Sequence, residues 1–112
     1  MKPIPVYKDT VNFNYTDLYI HSMSAPSGRQ ILMNCLGIAQ MLIEKNISYG
    51  DSALDPVRIF SKASSIEQLH VRIDDKLSRL MKGTEMVGDN DIDDLIGYLI
   101  LLKIAKEKNE KS

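Results

Sequence analysis

Carboxylates stand in two tight groups in the second half of the chain, Arg72-Ile73-Asp74-Asp75-Lys76 and Asp91-Ile92-Asp93-Asp94. Hard oxygen donors of this kind can hold a magnesium ion, and through it a phosphate chain, provided both groups face one hollow. On the first segment Glu67, His70 and Asp74 recur at spacings of three and four along one flank, with His70 and Asp74 placed to look inward over the core edge. On the second, Asp91, Asp94 and Tyr98 share a helical face. Lys45, Arg72 and Lys76 supply cations for phosphate, and Tyr49 supplies a ring for a base to stack on. Tyr49 belongs to a polar turn, Glu44 to Ser52, that also holds Lys45, Asp51, small hydroxyls and a flexible glycine. That composition suits phosphate or base contacts. A plainer reading stands beside it: aspartates in a first turn meet the helix dipole, and Arg72–Asp75 and Asp75–Arg79 are ordinary intrahelical pairs worth about 0.2–0.5 kcal/mol each.

The elements that must position these groups are helical. Ser64 with Glu67 forms a capping box, after which Ile66, Leu69, Ile73, Leu77 and Leu80 make one apolar face. In this reading Arg72 and Asp75 lie on the outer side and Lys76 on the opposite flank. Gly83 ends that helix, and a connection around Gly83 and Gly88 lets the chain fold back as a hairpin. Asp89 or Asn90 caps the last helix, whose run Leu95–Ala105 is apolar nearly all round and so is central to the fold or lies between subunits.

Upstream, Pro26 and Ser27 open a helix from about Gly28 to Asn46. Its stripe of Ile31, Leu32, Cys35, Leu36, Ala39, Leu42 and Ile43 is widened by Ile38 and Met41. Gly37 inside it suggests a close helix contact, and Cys35 reads as a buried, inert thiol. Asn46 or Gly50 accepts positive φ in the turn that follows, and Asp55-Pro56 starts a short helix through Val57, Ile59 and Phe60. Residues 1–26 read as an extended arm, with prolines at 3 and 5 and short β-like runs at Val6-Tyr7 and Leu18-Tyr19-Ile20. Its aromatics Tyr7, Phe13, Tyr15 and Tyr19 serve as packing anchors. The fold class is mostly α: a bundle of about four helices spanning 27–107, an N-terminal arm at 1–26, and a frayed charged tail at 108–112.

Composition narrows the function. A chain of 112 residues makes one domain, and 44% hydrophobic with 26% charged residues is ordinary for a globular protein. A net charge of -1 speaks against binding nucleic acid by bulk phosphate attraction. No secretory signal opens the sequence, and the run Leu95–Leu102 is far shorter than the roughly 20 residues a bilayer demands, so no membrane partner is expected. A single cysteine fits a reducing, intracellular setting. The broad first stripe and the all-round apolar last helix carry more apolar surface than a monomer of four short helices covers, which implies a homo-oligomer.

Three stretches taken together, Tyr49-Gly50-Asp51, Arg72-Ile73-Asp74-Asp75-Lys76-Leu77-Ser78-Arg79-Leu80 and Asp94-Leu95-Ile96-Gly97-Tyr98, resemble the nucleotide-modification-associated domain family of phages and bacteria. That family is similar to the MazG-like all-α nucleoside triphosphate pyrophosphohydrolases. The resemblance covers about residues 30–105. It implies a dimeric or tetrameric cytoplasmic bundle, in a bacterial cell or a phage-infected host, that binds Mg2+ and cleaves a nucleotide between its α- and β-phosphates. On that pattern Asp74 and Asp94 are the catalytic residues, and Asp74, Asp91, Asp94 and Glu67 the metal ligands. Lys45, Tyr49, Asp51, His70, Arg72, Lys76 and Tyr98 then surround the nucleotide. Asp91 and Asp94 match the second acidic pair of the pattern, with aspartate where glutamate is usual. The first pair is broken, because Leu77 and Ser78 stand three residues after Asp74 and Asp75. Three readings follow: a Mg-dependent pyrophosphohydrolase, a non-catalytic phage-type protein that binds or sequesters a nucleotide or nucleotide-derived signal, and a structural helical oligomer.

Overall fold

The computed structural model describes residues 14–83 and 90–111, and the chain divides into two compact units, Met1–Gly37 and Ile38–Ser112. Four α-helices account for most of the described residues: α1 (Tyr15–Ser22), α2 (Gly28–Tyr49), α3 (Ser65–Lys82) and α4 (Asp91–Lys111). No strand occurs among them. The mostly α class therefore holds, although the four helices are not quite the four expected. None of them is long and apolar enough to cross a membrane.

In the first unit, the stretch read as extended is helical from Tyr15. The Asn14 side chain accepts hydrogen bonds from the backbone N–H groups of Thr16 (2.8 Å) and Asp17 (3.4 Å), which satisfies donors that a helix start leaves open. That cap outweighs the β-like character of Leu18-Tyr19-Ile20, a local signal of only three residues. The calls on Pro3, Pro5, Val6, Tyr7 and Phe13 lie outside the described residues, as does the connection at Gly88. After α1 the chain turns so tightly that a Cβ on Gly28 would collide with the Ser22 carbonyl oxygen. The Arg29 guanidinium lies 5.9 Å from the Tyr19 ring centre. Cys35 is exposed rather than buried, since only Leu32 of its neighbours on the stripe is turned fully inward within this unit.

The second unit holds the rest. α2 runs three residues beyond Asn46, ending at Tyr49, and two successive left-handed residues, Gly50 (φ 61°) and Asp51 (φ 64°), break it. No helix forms at Pro56–Phe60, where Val57, Ile59 and Phe60 are exposed and so have no buried face to stabilise one. The Ser64 hydroxyl caps α3 by accepting the Glu67 N–H at 3.1 Å, and Gly83 (φ 64°) closes it as a left-handed cap. Asn90 caps α4: its side-chain oxygen accepts the Asp93 N–H at 3.1 Å, while its amide donates to the Asp93 carboxylate at 2.9 Å. α4 remains helical to Lys111, through the residues expected to fray. α3 and α4 fold against each other as the expected hairpin, with Leu69, Ile73 and Ala105 buried. Leu77, expected in the same face, stays 44% exposed.

The close-contact glycine is Gly97 on α4 and not Gly37. A Cβ on Gly97 would lie 2.9 Å from Leu42 Cδ2 and 3.4 Å from Met41 Cε, so the end of α2 presses on α4 there. Around Gly37 nothing among the described residues lies within 4 Å of such a Cβ. Gly37→Ala therefore gains helix propensity without a clash, and thermal melts should show it more stable by about 0.5–1 kcal/mol. Ser64→Ala, which removes the cap of α3, should lower stability by about 1 kcal/mol in the same assay.

Candidate functional site

Within the second unit, the end of α2, the turn after it and the facing sides of α3 and α4 enclose a hollow of about 390 Å³. Its polar wall comprises Lys45, Asn46, Tyr49, Asp51, Ser52, Arg72, Asp94 and Tyr98, and its floor is made by Met41, Leu42, Ala53 and Leu101. Each side chain is brought there by a local rule. Met41, Leu42, Lys45 and Tyr49 recur at helical spacing along α2. Asp94, Tyr98 and Leu101 lie four and three residues apart on α4, hence on one face. Asp51 is held by the left-handed turn, where its N–H bonds the Asn46 carbonyl (3.2 Å) and its carboxylate accepts from the Asn46 side-chain amide (2.7 Å).

Arg72 does not belong to the outer side of α3 alone. Its guanidinium lies 6.0 Å from the centre of the Tyr98 ring, a cation–π distance that carries it into the wall of the hollow. At the rim the Lys45 ammonium stands 3.5 Å from Asp94 Oδ1. Lys45 is 52% exposed, so this pair is screened and worth well under about 1 kcal/mol.

Behind the rim lies a tighter ion cluster. Lys76 Nζ approaches Asp91 Oδ1 at 3.3 Å and Asp94 Oδ2 at 3.2 Å, and Arg79 Nη1 adds a longer contact to Asp91 at 3.9 Å. Asp91 is 0% exposed and Lys76 only 12%. Burial by itself would drive the Lys76 ammonium toward the neutral form, but its hydrogen bonds to Asp94 and Asp91 outweigh it and the net shift is upward. Arg79 also pairs with Asp75 at 3.4 Å, as the i,i+4 spacing suggested.

Of the residues singled out in the sequence, Lys45, Tyr49, Asp51, Arg72, Asp94 and Tyr98 share the hollow. Lys76 and Asp91 do not line it: Lys76 pairs with Asp94 of its wall, and Asp91 pairs with Lys76. Asp74 is exposed on α3 and does not line the hollow, and Glu67 pairs with His70 along the same helix at 3.6 Å, also apart from it. Asp74 is thus not among the residues that share this hollow with Asp94. Among the described residues no three carboxylate, histidine or cysteine side chains gather as a metal site. The sequence reading missed the apolar floor. Leu101 was signalled by its spacing from Asp94 and Tyr98, whereas Met41 and Leu42 look like any other core positions.

The chain matches no protein-family model, no curated protein and no solved structure.

Removing Lys76 would take from the buried Asp91 carboxylate one of its cations and leave it the longer Arg79 contact. Lys76→Met should cost about 3–5 kcal/mol in urea denaturation, against less than about 1 kcal/mol for Lys45→Met. Because the folded-state pKa of Lys76 lies above the unfolded one, its contribution is complete below the pKa of an unfolded lysine. It disappears as pH rises through the elevated value. The stability difference between the wild type and Lys76→Met should accordingly hold through mild alkali and narrow only at strongly alkaline pH.

Proposed function

We propose that the protein binds a nucleotide or a nucleotide-derived signal in the hollow of its second unit, and that binding rather than hydrolysis is its principal act. The observation that carries this reading is the convergence of Arg72, Tyr98, Tyr49 and Lys45 on one space. Aromatic rings give a base a face to stack on, and guanidinium and ammonium groups meet a phosphate. At about 390 Å³ the space falls toward the lower end of the roughly 300–1,000 Å³ typical of small-molecule sites. Asp51 adds an acceptor-only group that can take a hydrogen bond from an amino or hydroxyl substituent.

The Mg-dependent pyrophosphohydrolase is the second reading, kept because Asp94 and Asp51 both reach the hollow. Two features weigh against it. Asp74 and Glu67 lie elsewhere, and Asp94 already meets the ammonium groups of Lys45 and Lys76. A divalent ion would have to compete with those cations for the same carboxylate.

A panel of mono-, di- and trinucleotides and nucleoside mono- and triphosphates, each with and without Mg2+, separates the readings. The binder is expected to be stabilised by one member of the panel, by about 2.7 kcal/mol at a hundredfold excess over Kd, with the ligand recovered intact. Arg72→Ala should weaken that binding about tenfold or more. Release of monophosphate and pyrophosphate, abolished by Asp94→Asn, would favour the hydrolase instead. No stabilisation by any member of the panel would leave a structural role.

A further inference from the structure

The hollow carries an anion of its own beside its lysines. Asp94 reaches Lys45 through Oδ1 at 3.5 Å and Lys76 through Oδ2 at 3.2 Å, so one carboxylate already meets both ammonium groups. Its side chain is 20% exposed, which leaves little water to screen that charge. Asp51 adds a second carboxylate, and the charged lining balances, with Lys45 and Arg72 set against Asp51 and Asp94. Arg72 is placed differently from the lysines. The intrahelical partner expected for it, Asp75, pairs with Arg79 instead. Among the described residues no carboxylate makes an ion pair with Arg72, and its guanidinium meets the Tyr98 ring at 6.0 Å. The face of a guanidinium can rest on a ring while its N–H edge binds a phosphate.

Resting on the nucleotide-binding reading, we infer that Asp94 limits the ligand to a single phosphate group, anchored by Arg72. A second or third phosphate gains a cation only by pulling Lys45 away from Asp94, which leaves that carboxylate with Lys76 alone. Otherwise it adds negative charge beside Asp94 and Asp51 with both lysines already occupied. Either course opposes like charges in a partly enclosed space, and the penalty grows with each phosphate. Asp94 is thereby a selectivity residue and not a phosphate ligand. It discriminates by repelling the wrong form of the ligand, while Arg72 attracts every form alike.

Titration calorimetry of the full chain with nucleoside mono- and triphosphates tests this, in EDTA so that no Mg2+ masks their charge. In the wild type, a monophosphate that binds should do so about tenfold or more tighter than its own triphosphate. Asp94→Asn keeps the shape and removes the charge, and should bring the two constants to within about threefold, mainly by tightening the triphosphate. A purely structural role for Asp94 would shift both constants in parallel. The wild-type comparison stands even where the variant fails to fold. A triphosphate held as tightly as its monophosphate, or a gap that Asp94→Asn leaves unchanged, would overturn this inference with nucleotide binding intact. Binding of no nucleoside phosphate would overturn it as well, and binding of no nucleotide of any kind would remove the reading on which it rests.

Discussion

The second unit depends on one buried ion cluster. Lys76 projects from α3 between two carboxylates of the first turn of α4, one of them wholly removed from solvent. Two charges buried without each other would be too costly to keep, so the helices are held to the one register in which they meet. Apolar contacts among Leu69, Ile73 and Ala105 supply attraction but tolerate sliding and repacking far better than an ion pair does. The ion cluster supplies the direction. It also fixes Asp94, whose second oxygen faces Lys45 at the rim, so a structural interaction sets the position of a group in the candidate site.

The same cluster changes the meaning of the acidic residues. Three aspartates within four positions suggest a cage for a metal, and each has another use. Asp93 is engaged by the cap residue Asn90, Asp91 by Lys76 and Arg79, and Asp94 by two lysines. What remains in the hollow is a near balance of charge, Lys45 and Arg72 against Asp51 and Asp94, with two phenols and an apolar floor. On the binding role proposed above, such a lining would suit a ligand with a ring and a limited anionic part better than a bare polyphosphate.

The helical type of α2, α3 and α4, their starts and the end of α3 were legible in the sequence because short-range chemistry decides them. Ser64 with Glu67, Gly83, and the polar residues before Asp91 all act within four positions of themselves. One error, α1 read as extended, overlooked the local cap at Asn14, and others fall where burial decides. Val57, Ile59 and Phe60 look like a helix only if they have a core to face, and they have none. Cys35 follows an apolar period, yet its face is open. The candidate site was half visible: residue types named Lys45, Tyr49, Asp51, Arg72, Asp94 and Tyr98, whereas Asp74 was placed inward by a flank argument that a single helix cannot settle. Lys76 is the instructive case. Its position on α3 is plain from the spacing, but its partners come from another helix, fifteen and eighteen residues on, and periodicity within one segment carries no information about them.

Gly97 has an effect that reaches past its own packing. It does not wall the hollow, yet the two side chains nearest to where its Cβ would stand, Leu42 and Met41, both do. The missing methyl group leaves room that Leu42 and Met41 occupy, and a methyl placed there would displace side chains that line the hollow. Substitution at this one position would therefore reshape the hollow without changing any residue that lines it.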